Sequence, residues 1–459
     1  MKHAIFATAV LVSLAASRVL PAAPPAALQE ARQLQLGGNY AEAQDAYEEA
    51  IKKEPVAATL GLVRCLVERG QIDEADKRLL DVLADNPKSA PLHAESAQRA
   101  FDRGDYEAAE QHATAALSLD EKNLPARWVT AELLRVRGKL DEADAAYKWF
   151  VDYYNATDKF APDDLRLIGF AAAQYARWNR LSDQFGFLVN DLLPSALELE
   201  KNYWPAKLAS GRLFLEKYNE AEAQKDLKAA LALNPQSAEI HTAVAELALQ
   251  NYNLEAARAS TKRALELRPG YVPALQTSAD AHLMNFEYDE AIAALEQARK
   301  VNPVDEGTLG RLVAAYAVVD GWSDAAKQSA RFKKIVDEVN ARNPHAGEFY
   351  LAMARTFDHT RRFPAAAEYY RTATERMPQL TVPYGELGLM LMRLGEEGEA
   401  KKLLDKSFEI DPFNVRVSNS RKVLEVLSEY AVLETPHFII RFDRVKDEVL
   451  AKYAANYLE

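Results

Sequence analysis

A marker residue returns about every 34 positions along most of this 459-residue chain. Glycines stand at Gly38, Gly70, Gly104 and Gly138, at intervals of 32, 34 and 34. Prolines follow at Pro235, Pro269, Pro303, Pro344, Pro378 and Pro412, at intervals of 34, 34, 41, 34 and 34. A period held this constant is the signature of stacked repeats, each too small to bury its own apolar face. The odd interval carries 41 − 34 = 7 surplus residues, close to two α-helical turns. The spacing therefore predicts a helix lengthened there with its apolar face still inward.

Between the markers the pattern is helical. Ala223, Leu227, Ala230 and Leu231 follow i, i+4, i+7, i+8 spacing, and the same slots return as Ala257, Thr261, Ala264 and Leu265. The next unit gives Ala291, Leu295 and Ala298, with Arg299 breaking the last slot. The glycine or aromatic marker falls at the turn between two helices. The proline falls just past the second helix, which it cannot continue. Each unit reads as a helix–turn–helix hairpin with small alanines where its helices approach.

These residues resemble the tetratricopeptide-repeat (TPR) pattern, which has small residues at positions 8, 20 and 27, a bulky residue at 24 and proline at 32. The unit starting at Trp204 supplies Gly211, Ala223, Ala230, Leu227 and Pro235. The unit starting at Gly347 supplies Ala354, Ala366, Ala373, Tyr370 and Pro378, and that starting at Thr381 supplies Gly388, Ala400, Ser407, Leu404 and Pro412. The family's early Trp is absent from the C-terminal units, where Lys207, His241, Leu275, Tyr350 and Tyr384 take its place. The resemblance implies an all-α superhelical solenoid of about eleven hairpins over residues 24–414, two of them irregular. It leaves function open, because the fold hosts many binding roles.

Organisation follows from the period. Residues 1–23 have the basic start, short apolar stretch and small residues of a cleavable signal peptide, too short to span a bilayer. An N-terminal array is expected over 24–153, an aromatic-rich joint over 154–203, a C-terminal array over 204–414 and a capping helix over 415–433. Around the joint, Tyr147–Trp204 holds 13 aromatics in 58 residues, against 9% for the whole chain. Such rings either fill space between irregular helices or line a binding site, with Tyr175 and Trp178 as candidates.

Charge and motif content limit the function classes. With 56 basic and 68 acidic residues the net charge is −12, opposite to what a general nucleic-acid binder needs. Cys65 is the sole cysteine, so no internal disulfide forms. No histidine opens a His-Glu-x-x-His motif, and no phosphate-binding glycine loop or Gly-x-Ser-x-Gly elbow occurs. Neither catalytic residues nor a metal or other cofactor are expected. The expected partner is a protein or peptide, with no nucleic acid and no integral membrane segment after signal cleavage.

Repeats of this family usually bind with the inner face, lined by the first helix of each hairpin. That places Arg64, Arg212, Glu246, Asp280, Arg355 and Asp358 as candidate partner-binding residues. The basic clamp for chaperone carboxyl tails is not matched, because its slots hold Leu208 and Arg212, then Thr242 and Glu246.

The last thirty residues change character. Phe438–Phe442 reads as a strand, and Lys446–Glu459 as an amphipathic helix with Val449, Leu450, Tyr453 and Tyr457 on one side. The segment Glu434-Thr-Pro-His-Phe-Ile-Ile-Arg-Phe-Asp443 with that helix resembles the opening of peptidase-MA-like zinc peptidase domains. Two functions are thus expected: an exported, non-enzymatic scaffold in the bacterial periplasm or outside the cell, or the substrate-recruiting part of a secreted metallopeptidase whose catalytic domain lies beyond residue 459. The alternative for residues 434–459 is a strand and helix that merely cap the solenoid.

Overall fold

The computed structural model describes residues 25–321 and 329–459; the expected signal peptide lies outside the described residues. From there the chain is a succession of antiparallel helix pairs. The N-terminal pairs are α1 (Ala26–Leu36) with α2 (Tyr40–Ala50), α3 (Pro55–Glu68) with α4 (Ile72–Asp85), α5 (Ala90–Asp102) with α6 (Tyr106–Leu119), and α7 (Leu124–Val136) with α8 (Leu140–Asn155). The fifth pair joins α9 (Pro162–Trp178) to a helix interrupted by a π turn, formed by α10 (Gln184–Phe187), Leu188–Leu192 and α11 (Leu193–Leu199). This pair occupies the irregular joint.

The regular pairs resume with α12 (Trp204–Glu216) and α13 (Glu220–Leu233), α14 (Ala238–Gln250) and α15 (Leu254–Leu267), and α16 (Val272–Met284) and α17 (Tyr288–Val301). They continue with α18 (Glu306–Val319) and α19 (Ala330–Arg342), α20 (Gly347–His359) and α21 (Phe363–Arg376), and α22 (Val382–Arg393) and α23 (Glu397–Ile410). That makes eleven hairpins among the described residues, closed by α24 (Val415–Ser428). The seven-residue surplus lengthens neither α18, at 14 residues, nor α19, at 13. Residues 322–328, between the two helices, lie outside the described residues.

Local chemistry starts and stops these helices where the period requires. The side chains of Asp105, Asn219 and Asn253 accept from the backbone N–H three residues on, satisfying donors that a helix start leaves unpaired. In the turn between paired helices one residue adopts a left-handed conformation, with φ of 78° at Gly38 and 53° at Tyr218. The alanine slots Ala223, Ala230, Ala257, Ala264, Ala291 and Ala298 have no exposed surface, as expected where two backbones approach closely.

The solenoid winds tightly enough for successive superhelical turns to touch. Turns inside hairpins one to four dock on loops that follow hairpins six to nine. Thus Gly38 meets Asn234, Gly70 meets Pro269, Gly104 meets Asn302, and Gly138 meets Asn343. The sequence offsets are 196, 199, 198 and 205, the last being 198 plus the seven-residue surplus. The glycine series and the proline series are therefore the two sides of one seam. Further along it, the Val415 N–H donates to the Lys217 carbonyl at 2.9 Å, and Lys217 Nζ bonds Asp411 at 2.7 Å.

The C-terminal segment is a hairpin followed by a helix. The expected strand is β2 (Ile439–Phe442), and it pairs antiparallel with β1 (Ala431–Glu434), with Ala431 opposite Phe442 and Glu434 opposite Ile439. The partner strand β1 is an addition to the sequence reading. The final helix, α25 (Glu448–Leu458), contacts both strands.

Candidate functional site: the superhelical channel

Winding the first helices inward forms a channel of about 1270 Å³, lined by α9, α12, α14, α16, α18, α20 and α22, with α24 contributing at one end. Small-ligand pockets usually occupy about 300–1,000 Å³, so this channel has room for a longer segment. Among the apolar residues on its wall are Leu215, Leu249, Met284, Leu351, Leu380 and Val382.

Six of the eight sequence candidates line this channel: Arg212, Glu246, Asp280, Arg355, Asp358 and Trp178. Asp280 receives Arg311 through Nε and Nη2, both at 2.9 Å, and Asp358 receives Arg393 at 2.7 Å. Burial raises the Glu246 carboxyl above its ordinary range, against the pull of Arg212 and Arg311. Trp178 packs edge-on against Tyr147, with ring centroids 5.4 Å apart.

Arg64 and Tyr175 do not line the channel. Arg64 reaches across to Asp163 of α9 at 3.1 Å. Asp163 also accepts from Arg32 at 3.3 Å and from the Tyr203 hydroxyl at 2.7 Å. Burial acts to raise the Asp163 carboxyl, but Arg64, Arg32, Arg166 and Tyr203 together hold it well below the usual carboxylate range. Arg64 is thus a strut between the first array and the joint. Tyr175 sits half-buried on α9, its carbonyl accepting from the Asn179 side chain at 3.0 Å.

The joint's aromatics mostly pack on one another. Tyr147, Phe150 and Tyr203 are buried, and Trp149 stacks on Tyr153 at 4.9 Å while Arg127 lies over its ring at 3.8 Å. These rings fill the space that the π turn and the long α9 leave between irregular helices.

Several channel residues escaped the sequence reading. Glu386 of α22 accepts from the Tyr218 hydroxyl at 2.8 Å and from Arg416 of α24 at 3.3 Å. Burial opposes its ionisation, yet Arg416, Arg355 and Tyr218 keep its carboxyl below the ordinary value. In the same way Arg177 and Lys217 overcome burial to bring Glu216 to about 2. Tyr370 occupies the bulky slot of a second helix, which pattern reading assigns to the core, yet it reaches the channel wall. No group of three or more His, Cys, Asp or Glu with metal-binding geometry occurs among the described residues. No helix among them is long and apolar enough to cross a membrane.

Tetratricopeptide-repeat family models match residues 34–98, 95–152, 208–272 and 383–414. No curated protein matches the chain. Among solved structures, the crystal structure of the APC/C hetero-tetramer Cut9–Hcn1 is similar at 13% identity and a TM-score of 0.38, over 87% of this chain and 89% of that one. Yeast Tom70 is similar at 13% identity and a TM-score of 0.35, over 94% of this chain and 98% of its own. The matched segments are tetratricopeptide repeats, and the helical hairpins between them continue the same period.

Proposed function

We propose that this chain is an exported, non-enzymatic scaffold that takes a segment of a partner protein into its superhelical channel. One observation carries the reading: the first helices of successive hairpins present mixed apolar and charged side chains to one continuous channel of about 1270 Å³. Such a wall suits an extended chain, with apolar contacts for affinity and charged groups for register. The basic start and short apolar stretch of residues 1–23 support export to the bacterial periplasm or beyond.

Selection from a displayed peptide library tests the binding role. Binders are expected that the unmodified chain retains and a Leu249→Trp, Met284→Trp variant loses, since both residues are half-buried on the channel wall. Binders indifferent to that blockage would place the interaction elsewhere and end this reading. Mass spectrometry of the chain from a bacterial host tests export, which predicts loss of the first ~17–23 residues.

A second reading, the substrate-recruiting part of a peptidase-MA-like zinc metallopeptidase, draws support from α25. Its Val449 and Tyr457 are 83% and 81% exposed, an apolar stripe suited to cover by a further element. An in-frame His-Glu-x-x-His in the gene after Glu459 would favour it, and a stop codon there would remove it.

A further inference from the structure

The acidic side chains at one end of the channel are matched, whereas the basic ones are in excess. Asp358 is bonded by Arg393, and Glu386 by Arg416 and Tyr218. Arg355, one helical turn before Asp358 and His359, lines the same wall and forms no hydrogen bond or ion pair with the described residues. Arg361, in the turn after α20, rests over the Phe286 ring at 5.2 Å and also faces the channel. Neither guanidinium is bonded to a carboxylate, although Arg355 lies close enough to Glu386 to help lower its pKa.

Hydrogen-bonding groups on this wall are also unanswered. The Tyr370 hydroxyl belongs to a residue with no exposed surface, and it has no hydrogen-bond partner. His359 Nδ1 and Trp178 Nε1 are also buried atoms without a hydrogen-bond partner, and both residues line the channel. A buried donor left unanswered is costly, so a bound acceptor gains more here than at a solvated surface. Most of these groups donate, and the arginines can only donate.

We propose that this end of the channel, with Arg355, Arg361 and Tyr370, receives the carboxylate side chains of an acidic, extended polypeptide segment. The inference rests on the channel-binding reading and specifies its ligand. A polypeptide fits because Leu351, Leu380 and Val382 line the same channel as the basic groups, suiting a chain that carries both acidic and apolar residues. Carboxylates match better than phosphates because Asp358 and Glu386 stand beside the arginines and leave only a small positive excess, which a monoanion answers more closely than a dianion.

Fluorescence anisotropy on the full chain tests this. The probes are a labelled dodecapeptide alternating Glu and Leu with both termini blocked, its Gln/Leu counterpart, and a twelve-nucleotide RNA. The Glu peptide is expected to bind at least about tenfold more tightly than the Gln peptide, and less tightly as salt is raised. Arg355→Gln with Arg361→Gln should erase that difference, while Lys225→Gln on the outer surface should leave it. Tyr370→Phe, which keeps the ring, should weaken the Glu peptide several-fold if the double variant melts abnormally. Equal binding of both peptides overturns the acidic preference and leaves the channel reading standing. Binding of neither overturns this inference, and the library selection then decides the channel reading separately. A preference that survives both arginine substitutions, or tighter binding of the RNA, overturns the assignment as well.

Discussion

The Asn234 side chain donates from Nδ2 to the hydroxyl oxygen of Tyr40 at 2.8 Å, across 194 residues of sequence. Its Oδ1 meanwhile accepts from the Gln236 N–H at 3.0 Å, shaping the loop that carries Pro235. One asparagine thus builds its own turn and fastens one superhelical turn to the next. Asn302 repeats the arrangement, donating to the Asp102 carbonyl at 3.2 Å and accepting from the Val304 N–H at 3.1 Å, whereas Asn343 donates to Glu306 of its own hairpin at 2.7 Å. A solenoid fastened this way is a wound coil with a defined bore, which is what gives the channel its walls.

The seam explains why the first four turn markers are glycine, and it predicts their sensitivity. A Cβ on Gly104 would lie 2.4 Å from Asn302 Oδ1 and 2.6 Å from Val304 Cγ2, whereas one on Gly395 would meet nothing within 4 Å. Both residues are left-handed, with φ of 76° and 79°, so both substitutions by alanine carry the same backbone strain. Gly104→Ala should lose a further ~1–3 kcal/mol from overpacking. Equal melting shifts for Gly104→Ala and Gly395→Ala would show that the superhelical turns do not touch.

Carboxyls buried along the seam predict a pH dependence. Burial, then the neighbouring Glu348, raises Glu306 to about 7. Burial and Glu239 raise Glu68 in the same direction, against the pull of Arg268. Groups whose folded values lie above their unfolded ones bind more protons in the native state. Stability from them is therefore present at low pH and lost as pH rises from about 4 through about 7. Melting temperature should fall across that range, and Glu306→Gln should flatten the fall. A profile that Glu306→Gln leaves unchanged would remove this carboxyl from the account.

Asp163 works with the opposite sign. Its carboxyl is held below the unfolded value by Arg64, Arg32, Arg166 and Tyr203 against the effect of burial. The stability it adds is present above the ordinary carboxylate pKa and is lost as pH falls through its depressed folded value. Asp163→Asn leaves Arg32 and Arg64 without this partner and should cost about 1.5–3 kcal/mol at neutral pH. Chemical denaturation measures it, and a loss below ~0.5 kcal/mol would mean the strut between array and joint is not structural.

Short-range features of this fold were legible in the sequence, and features built by distant contact were not. The alanine slots at Ala230 and Ala264 follow from helical spacing within one hairpin, and both are fully buried. The glycine markers were legible as turns, but the loops that dock on them lie about 200 residues away, beyond any local pattern. Arg64 falls at an inner-face slot, yet Asp163 from a hairpin three units on draws it into a strut. Glu386 takes its partners Tyr218 and Arg416 from a distant hairpin and from the closing helix α24. The strand Ala431–Glu434 reads equally well as helix until its pairing with β2 is seen.

The last prediction concerns the hairpin and helix after α24. Leu450 and Tyr453 of α25 are 64% and 69% exposed, and Ile439 of β2 is 67% exposed. An ion pair between Arg441 and Glu397 ties β2 to α23. A two-stranded hairpin is marginal on its own, and this one has α25 on it but little buried apolar surface. Opening of this unit should therefore cost far less than opening the solenoid, whose core runs through Leu387, Leu404 and Leu424. Limited proteolysis should cut first between about Tyr430 and Lys446, leaving a resistant product that ends near α24. Removing the Arg441 tie with Arg441→Ala should speed that cut without lowering the melting temperature of the resistant product. Cleavage inside the repeats before the hairpin, or protection of α25 equal to that of α20, would mean that the C-terminal unit packs more firmly than its exposed residues indicate.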